Sequence, residues 1–221
     1  MTRFSRRAGI RITVAAVVVV AAVVGLWWKP WQSATLPQSA CWGMLSRDDL
    51  KPLAGADGTA GVRTSGNTPV SLLKSGPKPL TLPDAECAVS WNRNKTLLMV
   101  SVDPQSTADM QGAEEQGLQS QAPNNLGSGI LLLWQGNTVI AFFRCGGITW
   151  PDSPYAEVEV SGGSFPLSGD DQYAPKSDMD AYASIALKVS KAIAKQLPCT
   201  NTLTFPQSAP TDTATPPSWD S

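Results

Sequence analysis

The apolar residues of this chain fall into blocks whose spacing changes from one to the next. The first block, Ile12 to Trp28, is continuous, with no charge and Thr13 as its one polar member. At about 1.5 Å per residue it makes a helix of roughly 25 Å, at the short end of what spans a bilayer. Trp27, Trp28 and Trp31 gather at its far end, where indole rings favour the headgroup region. After an extended spacer the pattern turns mixed. "MLSRDDLKPLAG" carries Ser46 as an N-cap with Asp48 and Asp49 in the first turn. It predicts a short helix, with Pro52 and Gly55 closing it near Ala54. Residues 55–83 are rich in Gly, Pro, Ser and Thr and predict a loop, with at most a short edge strand.

Alternation takes over next. Cys87, Val89 and Trp91 alternate with Glu86, Ala88 and Ser90, and the branched run Thr96–Val102 follows the polar turn "NRNK". Two such runs about a short polar turn predict a hairpin. Residues 103–127 are polar and Gln-rich and predict an exposed connection with at most one loose helical turn. "GILLLW" and "TVIAFFRC" flank "QGN" and predict a second hairpin, buried on both faces or covered by a helix. Tyr155 to Val160 alternates again, with Glu157 and Glu159 on one face and Val158 and Val160 on the other. Met179, Tyr182, Ile185, Ala186, Val189, Ile193 and Leu197 recur at helical spacing, and residues 178–197 predict the longest helix, ended by Pro198. The Pro/Ser/Thr tail, 205–221, lacks the apolar residues to build a core.

Charge orients this arrangement. Arg3, Arg6, Arg7 and Arg11 precede the first block and no acid does, so the N-terminus stays in the cytoplasm and the rest crosses. "GLWWKPW" offers no small-residue cleavage pattern, so the helix is expected to remain as an anchor. Beyond residue 28 lie 13 basic residues against 18 acids, a formal charge near −5 that disfavours nucleic acid. Cys41, Cys87, Cys145 and Cys199 are an even set in an exported chain and predict disulfides. Four cysteines allow three connectivities. The sequential one, Cys41–Cys87 and Cys145–Cys199, is expected because each pair ties a helix-flanking position to a strand. Each bridge closes a loop of about 50 residues, worth about 3–4 kcal/mol in the chain-entropy account.

Candidate chemistry is sparse. The chain has no histidine, which excludes Ser-His-Asp or Cys-His catalysis, a His-ligated metal and a histidine pH switch. No C-x-x-C occurs. Glu157 with Glu159 has the composition of an acid/base pair, but alternation makes them the wet face of a strand. Asp170, Asp171, Asp178 and Asp180 match no calcium-loop spacing. "SGGS" at 161–164 lacks the strand–loop–helix context of an anion cradle. Trp42, Trp91, Trp134 and Trp150 are candidates for an aromatic groove that takes a lipid or glycan, but core packing beside the disulfides is expected for most of them. Trp150, set among Gly and Pro in "GGITWPDSPY", is the expected exposed aromatic, and with Tyr155 it is the candidate ligand contact. No catalytic residue, metal ligand or cofactor is assigned.

"CWGMLSRDDLKPLAG" from Cys41, with "CAVSW" from Cys87 and the apolar strand after it, resembles a pattern of exported actinobacterial envelope proteins of unknown function. Those show a Cys, leucine-like residues, a short acidic helix ending in Leu-x-Gly, then Cys-x-Trp and a strand. Cys41, Leu45, Asp48, Leu53, Gly55, Cys87 and Trp91 stand at the matching positions, with Trp91 four residues after its cysteine. Many of those proteins are lipoproteins, and this chain has no cysteine at the end of its apolar run. The resemblance implies an envelope-facing α+β domain with disulfides and no enzymatic residues.

The expected organisation is a cytoplasmic basic segment (1–11), an anchor (12–28), a spacer (29–40), an extracytoplasmic α+β domain (41–204) and a disordered tail (205–221). The domain is an antiparallel sheet of hairpins packed by a short N-terminal and a long C-terminal helix. Each half carries one helix, one hairpin and two cysteines, which leaves room for two pseudo-equivalent lobes. The expected function is a single-pass, membrane-anchored binding, sensing or scaffolding module of the cell envelope. Its partners would be the membrane, through the N-terminal helix, and an envelope ligand or membrane protein. The alternatives are a histidine-free exported hydrolase using carboxylates and an accessory subunit of a membrane complex.

Overall fold

The computed structural model describes residues 34–76, 85–93, 95–120, 124–126, 129–135, 137–162 and 176–210. The expected anchor at 12–28, the basic segment before it, Asp170 and Asp171, and the tail from 211 lie outside them. Among the described residues no helix is long and apolar enough to cross a membrane.

The elements in chain order are β1 (Ala34–Thr35), β2 (Ser39–Ala40), β3 (Leu45–Ser46), α1 (Arg47–Leu50), a 3-10 turn (Lys51–Leu53), β4 (Gly58–Gly66), α2 (Pro69–Ser75), β5 (Ala85–Trp91), β6 (Lys95–Gln105), α3 (Thr107–Ser120), β7 (Asn124–Asn125), β8 (Ile130–Gln135), β9 (Thr138–Arg144), β10 (Tyr155–Ser161) and α4 (Lys176–Gln196). Eight strands form one sheet in the order β1-β4-β5-β6-β10-β9-β8-β7, and β2 pairs with β3 in a small separate hairpin. All pairs in the large sheet are antiparallel except β1 with β4. The α+β class, the hairpins β5–β6 and β8–β9, the strand β10, the short α1 and the long α4 all answer to the pattern of the sequence.

Three expectations need correction. First, the segment expected as loop between 55 and 83 contains the nine-residue β4 and the helix α2. β4 is built from "GTAGVRTSG", too poor in apolar residues to signal a strand by itself, and its order comes from pairing along the whole of β5. Second, the polar connection after β6 contains the 14-residue α3. Third, the two halves are not separate lobes. The meander β4–β5–β6 and the meander β8–β9–β10 join edge to edge through β6 and β10, from Tyr155 opposite Gln105 to Ser161 opposite Met99.

Alternation along these strands gives the sheet two unlike faces. One carries Cys87, Val89, Val100, Val102, Leu132, Trp134, Val139, Ala141, Phe143, Val158 and Val160, all buried. α4 covers it, burying Tyr182, Ile185, Ala186, Val189 and Ile193. The apolar stripe of α4 and the strand alternation thus meet as one core. α1 is tied to this layer at its start. Asp49 accepts from the Ser46 N–H and hydroxyl, each at 2.6 Å, and from the Lys188 ammonium of α4. Burial pushes the Asp49 carboxyl up, but these donors outweigh it and hold it below the usual aspartate value.

The second face is divided. Toward β8 and β9 it is apolar, with Leu131, Leu133 and Phe142 buried and Met110 of α3 packed on them. Toward β6 and β10 it is polar, with Ser101, Asp103, Glu157 and Glu159 half-buried. Both expected disulfides are formed, Cys41–Cys87 and Cys145–Cys199. Phe205 meets Phe143 edge-on with ring centroids 5.9 Å apart, so the packed body continues past residue 204.

Candidate functional site

The segment joining β9 to β10, residues 145–154, is held at several points. Cys145 is buried and bonded to Cys199 just beyond α4. Asn201 donates from Nδ2 to the Arg144 carbonyl at 2.8 Å and accepts the Gly146 N–H on Oδ1 at 3.2 Å. Gly147 lies so near the end of α4 that a Cβ there would stand 2.6 Å from the Pro198 carbonyl oxygen, so this close approach requires glycine.

The far side of the segment grips α2. The last carbonyls of a helix have no intrahelical partner. Here the Trp150 indole N–H donates to the Leu72 carbonyl at 2.8 Å, the Thr149 N–H to Leu73 at 3.1 Å and the Thr149 hydroxyl to Lys74 at 2.6 Å. The sequence gives no hint of this cap, because donor and acceptor are separated by some 75 residues.

Between this segment and the start of α3 lies a cavity of about 690 Å³. Its walls include Ile148, Trp150 and Pro154 on the loop side, Ser106 and Thr107 at the head of α3, and Asp152 at the rim. Ser106 and Asp109 cap that helix reciprocally. The Ser106 hydroxyl donates to the Asp109 carboxylate at 2.5 Å, and the Asp109 N–H returns to the hydroxyl at 3.1 Å. Asp152 is exposed with φ 56, a conformation that Asp and Asn tolerate better than other residues with a Cβ. Compared with known proteins, the chain matches no family model, no curated protein and no solved structure.

The residues singled out in the sequence separate into groups. Trp150 lines the cavity; it is half-buried rather than exposed, because its indole is needed at α2. Tyr155 starts β10 next to the cavity segment but does not line the cavity. Trp91 and Trp134 are core residues and Trp42 is half-buried, so the tryptophans share no groove. Asp178 lies in the first turn of α4, and among the described residues no group of His, Cys, Asp and Glu has the arrangement to hold a metal ion. Ser106, Thr107 and Asp152 are the residues that sequence reasoning missed, since the cavity exists only when α3 and the 145–154 segment are brought together.

Glu157 and Glu159 do not sit on a fully wet face. β10 is an inner strand between β6 and β9, and both side chains are half-buried. Burial pushes the Glu157 carboxyl up to about 7, helped by the charges of Glu159, Asp103 and Asp109, while a hydrogen bond with Gln105 acts the other way. Burial and Asp103 also raise Glu159. Asp103 stands directly opposite Glu157 in the ladder. Like charges in directly opposed positions are unfavourable, which acts in the same direction as burial on Glu157 and Glu159.

Proposed function

We propose that the chain is an extracytoplasmic binding module of the cell envelope, held to the membrane by the apolar helix expected at 12–28, with the cavity beside Trp150 as its recognition surface. The observation that carries this reading is the cavity's construction. A disulfide, an asparagine clamp and a three-bond grip on α2 fix one wall before any ligand arrives. A pre-formed wall avoids the ordering cost that weakens binding to mobile loops. Both disulfides and the lack of a free thiol support the compartment. The resemblance of the Cys41–Trp91 region to exported envelope proteins supports the same placement. Binding is favoured over carboxylate-based hydrolysis because Glu157 and Glu159 lie on the sheet face and neither residue lines the cavity.

The test uses the full-length chain in two assays. In intact cells, a membrane-impermeant maleimide should label the cysteines only after reductant is added. Labelling without reductant, or only after lysis, overturns the placement. In thermal denaturation, soluble extracts of the cell envelope should raise the melting temperature of the parent protein and leave that of Ala108→Trp unchanged. Ala108 is an exposed residue on the cavity wall, so the indole takes up space beside the first turn of α3 without entering the core. Equal shifts in the two proteins overturn the cavity as the recognition surface.

A further inference from the structure

The chemistry of the cavity's walls narrows the class of its ligand. The loop side presents Trp150, Ile148 and Pro154. Because the Trp150 N–H already donates to Leu72, the indole offers the cavity its ring rather than a donor. The opposite side is the first turn of α3. Ser106 and Asp109 satisfy each other's amides through the cap. The amides of Thr107 and Ala108 have no intrahelical acceptor by position, and with the helix dipole they carry partial positive charge. Asp152 at the rim is an exposed acceptor.

The walls do not treat the two signs of ligand charge alike. A phosphate or carboxylate would be drawn to the α3 amides but repelled by Asp152 and Asp109, and among the described residues no lysine or arginine lines the cavity to offset this. An ammonium would meet only the partial positive charge of the capped α3 terminus, so charge disfavours anions alone. A neutral molecule is spared the repulsion of the two acids. To use the walls it needs hydroxyls that both donate and accept, beside an apolar face that can lie on an aromatic ring. A pyranose ring has this combination.

We propose that the cavity binds a neutral saccharide unit, with the apolar face of the sugar on Trp150, one hydroxyl donating to Asp152 and another accepting from the first turn of α3. This rests on the reading of the cavity as a recognition surface. It goes further by excluding phosphorylated and uronic sugars as preferred ligands.

The test is saturation-transfer NMR and isothermal titration of the full-length protein with maltotriose, cellotriose and glucomannan-derived mannotriose as neutral probes. Glucose 6-phosphate and glucuronate serve as anionic probes, with glucose as the neutral sugar of the same size. At least one neutral trisaccharide should bind, and glucose should bind more tightly than either anionic sugar. Asp152→Asn keeps a residue suited to positive φ and should weaken that binding about tenfold, the usual loss for a hydrogen bond to a charged group. Ala108→Trp should weaken it further. Tighter binding of an anionic sugar than of glucose, undiminished binding in both variants, or no binding of any neutral trisaccharide at 20 mM overturns the saccharide assignment. If the envelope extracts still stabilise the parent protein but not Ala108→Trp, the recognition surface stands and only the saccharide class fails. If neither probe set distinguishes the two proteins, both fall.

Discussion

Glu157 shows how one residue acquires a property that its neighbours in sequence do not announce. Its carboxyl titrates at about 7 in the folded chain, against 4.5 for an unperturbed glutamate, chiefly because β10 is an inner strand and its outer face is partly covered. The sign of the effect on stability is the reverse of that for a salt-bridged acid. Below pH 4.5 both folded and unfolded chains hold the proton and nothing is lost. As pH rises toward 7 the unfolded chain releases its proton first, so stability falls, and above about 7 the loss is constant. The shift corresponds to roughly 3 kcal/mol at most. Glu157→Gln should therefore raise the melting temperature by several degrees at pH 8 and leave it nearly unchanged at pH 4. Thermal melts of parent and variant across that range check this, and equal pH dependence in the two would show that Glu157 is not the group responsible.

At the scale of elements, α2 depends on its surroundings. Seven residues are too few to hold a helix in water. Its start is self-supporting, with Thr68 accepting the Ser71 N–H at 3.3 Å and Pro69 in the first turn. Its end relies on Thr149 and Trp150 from the cavity segment. Trp150→Phe keeps the aromatic body but removes the indole donor, leaving the half-buried Leu72 carbonyl without it. The expected cost is about 1–2 kcal/mol. Amide exchange in α2 should quicken more than in α4, measured by hydrogen–deuterium exchange, because only α2 loses a cap. Uniform quickening across both helices would contradict the local role assigned to Trp150.

At the scale of the molecule, two covalent ties bracket the sheet. Cys41–Cys87 fastens the β2–β3 hairpin and α1 to β5, and Cys145–Cys199 fastens the end of α4 to the end of β9. The loops they close span 46 and 54 residues. Each is worth about 3–4 kcal/mol in the chain-entropy account. Reduction should lower the melting temperature by well over 10 °C, and it should also weaken ligand binding, because Cys145 is part of the cavity wall. Calorimetry with and without dithiothreitol checks this; an unchanged melting temperature would mean that the bridges restrain nothing that the core does not already hold.

Much of this architecture was written in local pattern. Period-two alternation gave β5 and β10, apolar runs about short polar turns gave the two hairpins, and period-3.6 spacing gave α4. Ser46 with Asp48 and Asp49 marked α1, and the even cysteine count gave the bridges. These follow because each segment must bury one face, and the spacing of its apolar residues records which one. Tertiary structure decided what has no local record. β4 is ordered by its partner strand and α2 is finished by donors 75 residues away. α3 is largely polar and earns its place by Met110 resting on Leu131, Leu133 and Phe142. The joining of β6 to β10 made one sheet out of two meanders and set Asp103 against Glu157. The cavity belongs wholly to this second class. Ser106, Thr107, Trp150 and Asp152 become neighbours only when the sheet brings the ends of β6 and β9 to the same edge, and no spacing along the chain encodes a contact made across it.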